Sequence, residues 1–232
     1  MVLERLTGGA SRHLSGYDEG TRRLIFILCL PLVDGVFATL LVTGAVGTFS
    51  DMLAIALTVF TGAGALAVLY SNSDTFDEAI GMVKKASPVL VAGAVAVALI
   101  APVYAQMFYV ERLKYAAGIA LLVIAADMID IDFADSFPVP AVLLTGMAVS
   151  LRDPGAVQFT LMYLQPAVLT ALASVAGLLI ASTLASRDLR LDYVRRGGSA
   201  VLLVIGLSQF GLQIPSELGL AVFAVALASS LR

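Results

Sequence analysis

The feature that most constrains this chain is a succession of apolar runs, many close to twenty residues long, parted by short polar stretches. About 20 predominantly apolar residues are what a helix needs to cross the roughly 30 Å hydrocarbon core of a bilayer. In that medium only helices and closed barrels satisfy the backbone. Eight segments fit the pattern: 24–47, 52–71, 87–109, 114–129, 137–151, 158–185, 198–213 and 215–231. With 59% hydrophobic residues over 232 positions, the apolar share exceeds what one water-surrounded core buries. The expected fold is an all-α integral membrane protein of about eight transmembrane helices, with the lipid bilayer as its first partner.

Eight crossings put both termini on one side, and the positive-inside rule says which. Arg5, Arg12, Arg22, Arg23, Lys84, Lys85, Arg187, Arg190, Arg195, Arg196 and Arg232 fall on the side of the termini. Only Arg112, Lys114 and Arg152 fall opposite. Both termini are therefore expected in the cytoplasm. Residues 1–23 have no long apolar run or small-residue cleavage site, so they read as a retained cytoplasmic segment. The loops 73–86 and 186–197 read as amphipathic segments on the same surface.

A repeat is written into the spacing. Leu41, Thr43, Gly44 and Asp51 recur at a constant offset as Leu143, Thr145, Gly146 and Asp153, and the basic pair Lys84–Lys85 has a counterpart in Arg195–Arg196. The organisation predicted is two parallel four-helix repeats, 24–129 and 130–232, after the N-terminal segment.

Each half opens on an interrupted segment. LPLVDGVFATLLVTGAVG places Asp34 between Pro31 and Gly35, and its counterpart DSFPVPAVLLTG carries Asp135, Pro138 and Pro140. Paired Pro/Gly interruptions in the two halves of a membrane protein point to a central binding site. A carboxylate near the bilayer centre costs about 2.5–3.5 kcal/mol on insertion scales, so Asp34 should face the interior. It reads either as a cation or proton site or as the cap of a half-helix beginning at Gly35, and the two roles are compatible. The run DMIDIDFAD adds Asp127, Asp130, Asp132 and Asp135, either as hard-cation ligands or as solvated loop acids. Thr43 and Thr145 are candidate auxiliary oxygens. Gln165 and Gln209 sit inside apolar runs and either line a path or bond neighbouring helices.

Other chemistry finds little footing. Cys29 and His13 are the only residues of their kinds, and neither a HExxH motif nor a glycine-rich phosphate loop occurs, so no catalytic residue, cofactor or resident metal is expected. No nucleic-acid partner is expected, and nothing sets an oligomeric state. Lysine is scarce beside arginine and aspartate, a usage expected of a halophilic archaeal source.

DGVFATLLVTGAVGTFSD partly resembles the signature of the CDP-alcohol phosphatidyltransferases. Asp34, Gly35, Ala38, Gly47 and Asp51 echo it, but Pro31, Thr39 and Ile55 stand where that family has two aspartates and an arginine, and the spacer is one residue short. A two-metal diphosphate site needs those groups, so the enzyme reading stays remote. From LPLVDG to QFGLQIP the chain resembles a family of haloarchaeal multi-pass membrane proteins of unknown function, which brings no activity or site residues with it. The leading expectation is a small secondary transporter or ion-conducting protein for a small ion or small molecule. The alternative is a non-catalytic scaffold or accessory subunit.

Overall fold

The computed structural model describes residues 17–131, 137–152, 159–183 and 190–230. The first sixteen residues, Asp132, Asp135, Asp153 and Arg187 lie outside them. Among the described residues the chain is helical, with one isolated antiparallel bridge, Phe108 to Leu151. Ten α-helices follow in order: α1 Glu19–Val33, α2 Val36–Thr43, α3 Phe49–Ile55, α4 Ala63–Ser71, α5 Phe76–Met107, α6 Val110–Asp127, α7 Val139–Ser150, α8 Leu164–Ser182, α9 Leu191–Ser208 and α10 Ser216–Ser230. A π-turn, Ala56–Phe60, joins α3 towards α4.

Two helices, α5 and α8, are long and apolar enough to cross a membrane, and the number rises to four if each of two bent pairs forms one span. Those pairs are α1 with α2, bent by 46°, and α3 through the π-turn with α4, bent by 49°. Each of the eight expected segments coincides with one helix or one bent pair, but α7 and α10 are short. At 1.5 Å per residue the 12 residues of α7 measure about 18 Å.

The expectation that 73–86 is a separate surface segment gives way to a continuous helix. α5 starts at Phe76 behind a capping box in which Thr75 and Glu78 satisfy each other's backbone N–H groups, and it runs 32 residues through Pro88 and Pro102. It buries Ala79, Met82, Val83, Ala86, Leu90, Ala94, Ala98 and Ala101, one helix face made mostly of alanine. Such a face lets neighbours approach closely, and Leu32 of α1 packs directly over Gly93. The segment 186–197 likewise gives way in part, since α9 begins at Leu191.

Helix ends fall into two groups. Asp18 before α1 meets Lys85 of α5 at 2.9 Å, the Tyr70 hydroxyl of α4 donates to the Ala181 carbonyl of α8, and Arg190 N–H before α9 donates to the Ser230 carbonyl of α10. Arg195 of α9 reaches Asp130 just past α6. At the other end Tyr109 N–H donates to the Ser150 carbonyl, and Ser50 bonds Ser216 and Glu217, joining α3 to α10. Between these ends Phe37 of α2 meets Phe60 of the π-turn edge to face at 5.1 Å, which fastens the two bent pairs together.

Candidate functional site

The break between α1 and α2 is built from three residues. Pro31 lies inside α1 without ending it, and since proline has no N–H, the Ile27 carbonyl lacks its helical donor. α1 ends two residues later, with Asp34 N–H still donating to the Leu30 carbonyl at 3.0 Å. Gly35 then adopts φ +84°, a left-handed conformation that a side chain disfavours, and α2 restarts at Val36. Asp34 Oδ1 accepts the Val36 N–H at 3.0 Å, so from the position before the N-cap, Gly35, the carboxylate satisfies the first free N–H of α2.

The second break uses another device. Thr61 N–H donates back to the Ala56 carbonyl in the wider π pattern, Thr61 Oγ1 donates to the Ser174 carbonyl of α8, and α4 restarts after Gly62. No side chain caps α4. The segment 52–71 was read only as one apolar run; the TGAG run at Thr61–Gly64 marks where it bends.

Both breaks open onto one cavity of about 490 Å³. Its walls include Pro31 and Asp34 at the first break, Gly62 and Gly64 at the second, Asp127 at the end of α6, and Val139 and Pro140 at the start of α7. Leu32, beside Asp34, contacts α5 at Gly93, about 12 Å along that helix from Lys85 and about 21 Å from Met107. Asp34 is partly buried and shares the cavity with Asp127 and Arg195, so the cavity reaches the helix ends gathered at the Arg195–Asp130 pair.

Arg195 also lines this cavity, a residue that sequence reasoning assigned to a surface segment. Its guanidinium pairs with Asp130 at 2.5 Å and approaches the Asp127 carbonyl at 3.4 Å. The docking of α9 on α6 sets this up: Ser199 Oγ donates to the Ala125 carbonyl at 2.6 Å, and Gly118 and Gly206 let the two backbones close to contact. Asp130 makes the turn by adopting φ +56°. Asp34, Asp127 and Arg195 line the cavity, and Arg195 is already paired with Asp130, so by formal charge the acids outnumber the bases there. Such a lining suits a small cation or a molecule with a cationic group.

Thus Asp34 and Asp127 share a cavity, and Gly35 forms the adjoining turn. Asp135 lies outside the described residues. The remaining candidates are elsewhere. Thr43, at the far end of α2, is buried and donates to the Thr39 carbonyl at 2.8 Å; Thr145 is exposed on α7 and donates to Ala141; Gln209 closes α9, its Oε1 buried without a hydrogen-bond partner. Gln165 lies in the first turn of α8. Neither Thr43 nor Thr145 is among the residues that line this cavity. Among the described residues no group of three or more His, Cys, Asp or Glu is placed to hold a metal ion.

No curated protein and no solved structure matches the chain. Residues 89–210, more than half of its length and including α6, α7 and the Arg195 end of α9, match a family described as Family of unknown function (DUF5794). The chain, with its doubly interrupted helical bundle, belongs to that family.

Proposed function

We propose that the protein is a small membrane transporter or ion-conducting protein whose cargo passes through the cavity at the two breaks, with Asp34 as its binding or coupling carboxylate. The observation that carries this reading is the placing of Asp34 and Asp127 on one cavity between the α1–α2 break and the start of α7. Interrupted helices at interior depth persist where they line a cavity or are sealed by protein. The same reading retains eight passes, with both termini cytoplasmic in the cell membrane. Its support is the grouping of helix ends, since a chain passing from one group to the other alternates through all eight segments.

One observation favours the scaffold alternative: Asp34 Oδ1 is engaged as a helix cap. A single substitution separates the two. Asparagine caps about as well as aspartate, so Asp34→Asn keeps the Val36 bond and removes only the charge. A hydrogen bond to a charged group is worth about 1.5–3 kcal/mol, roughly tenfold or more in affinity. Proteoliposomes carrying Asp34→Asn are expected to lose cation- or proton-linked uptake by that factor. Equal flux in the two proteins would leave Asp34 a cap and the scaffold reading in its place. Sidedness is checked by replacing Cys29 with serine and labelling Lys84→Cys and Arg112→Cys. The first should react only from the cytoplasm and the second only from outside.

A further inference from the structure

We propose that the groove between α6 and α7 holds one anionic membrane phospholipid, its phosphate at Arg112 and one chain lying along α7. The proposal rests on the membrane-embedded part of the reading above and is independent of transport.

The groove encloses about 600 Å³ and is lined by Arg112, Tyr115 and Ile119 from α6 and by Ala141, Thr145 and Ser150 from α7, among others. The helices run antiparallel and touch where Gly146 meets Ala116, so the groove follows the seam beside that contact. Its length along α7, about 18 Å, compares with one leaflet of a core roughly 30 Å thick. Its sides are apolar and outward facing: Ile119, Phe137 and Val149 are all exposed. Charge is confined to one end. A single amphiphile with an apolar chain and an anionic head has that distribution, and a peptide helix does not require it.

The charged end is held in place by backbone pairing. Tyr109 N–H donates to the Ser150 carbonyl at 2.7 Å and Arg152 N–H to the Met107 carbonyl at 2.9 Å. This brings the guanidinium carbons of Arg112 and Arg152 to 5.1 and 5.8 Å from the Tyr109 ring centre. Among the described residues neither arginine pairs with a carboxylate. Arg112 uses one N–H on the Val149 carbonyl at 3.3 Å, which leaves donors in its fork for a phosphate.

Ser150 is the second, independent sign. It is 1% exposed, lines the groove, and its Oγ has no hydrogen-bond partner among the described residues. Serine inside a helix ordinarily donates to a carbonyl one turn back, as Ser174 and Ser182 of α8 do. A buried hydroxyl left unpaired is costly, and a phosphodiester oxygen seated beside Arg112 would pair it.

The test is native mass spectrometry of the detergent-purified full chain after incubation with phosphatidylglycerol or phosphatidylcholine. Phosphatidylglycerol should be retained in preference. Arg112→Gln should lower its retention about fivefold and leave phosphatidylcholine unchanged. Ala141→Phe, which adds bulk inside the groove from an exposed position, should lower retention with Arg112 intact, and Asp34→Asn should not. Equal retention of the two lipids by the native chain, or retention unaffected by both groove variants, overturns the proposal. A lipid-insensitive dimer that blocks the groove also overturns it. Release of the chain from membranes into detergent-free buffer would instead sink the membrane reading itself, so the two failures are distinct.

Discussion

The two breaks bend the chain by nearly the same angle, 46° and 49°, and face the same cavity, yet they are built from different material. At Asp34–Gly35 the backbone turns through a left-handed glycine, and a carboxylate accepts the first N–H of the helix that follows. At Thr61–Gly64 it turns through a π-bulge with all residues at negative φ, and the next helix starts with no side-chain cap. One break is held by torsion and charge, the other by how little room surrounds it. The cavity therefore has a wall with a titratable group and a wall of bare backbone, and only the first can change its charge with a bound proton or ion.

The largest effect should come from the crowded break. A Cβ at Gly62 would overlap the Thr58 carbonyl oxygen, a backbone atom that no rotamer change can move. Gly62→Ala is expected to cost about 3 kcal/mol, the upper part of the range for forced overpacking, and to lower the melting temperature by roughly 6 °C or more. Gly62→Asn should do no better. At Gly35 a Cβ would find only Met147 Cε at 3.5 Å, an ordinary contact, so the cost is torsional. Gly35→Ala should lose about 1–2 kcal/mol, and Gly35→Asn should recover part of it because asparagine tolerates left-handed φ. Thermal unfolding of these four variants followed by helical circular dichroism checks the contrast. Recovery by asparagine at both sites, or at neither, would erase the distinction between the breaks.

Much of this was legible in the residues, for reasons that can be named. Apolar run length gave the helical segments, and Pro31, Asp34 and Gly35 marked the first break, because proline, buried charge and glycine each carry a strong local rule. The second break was missed although Gly62 and Gly64 stood in the open: alone, a glycine in an apolar run signals close packing as readily as a bend. Arg195 was missed because its place depends on the crossing of α6 and α9 at Gly118 and Gly206, a tertiary contact with no local pattern. The LxTG spacing shared by Leu41–Gly44 and Leu143–Gly146 is legible in the residues but does not set the part its glycine plays. Gly44 ends α2 in a left-handed cap at φ +77°, whereas Gly146 lies within α7 against Ala116. Nor are the helix pairs alike, since α9 and α10 form the most extensive contact in the bundle while their counterparts α5 and α6 scarcely touch. A short motif fixes residue types, and the surroundings decide what the glycine is for.

The smallest effect sharpens the comparison by setting the Asp34 cap against a second carboxylate cap, at the wet end of the same bent pair. Asp18 caps α1, accepting Thr21 N–H at 3.0 Å, and it also meets Lys85 Nζ at 2.9 Å. The lysine contact, seconded by the Thr21 bonds, holds its carboxyl down at about 2 against an ordinary 3.8. A depressed folded-state value means that protons prefer the unfolded chain, so this contribution is complete above about pH 4 and disappears as the pH falls towards 2. Both side chains of the pair are about half exposed, which limits the contribution to about 0.2–1 kcal/mol and makes it sensitive to salt. Asp18→Asn keeps the cap and loses the lysine. Its melting temperature should fall below the native value by roughly 1–4 °C at pH 6 and low ionic strength, and the two proteins should converge as the pH approaches 2. Asp34, with one backbone donor and no cationic partner on its own helix, should give no such salt-sensitive difference when changed to asparagine. What that change removes is the charge facing the cavity, and it should show in flux while the melting curve stays nearly still.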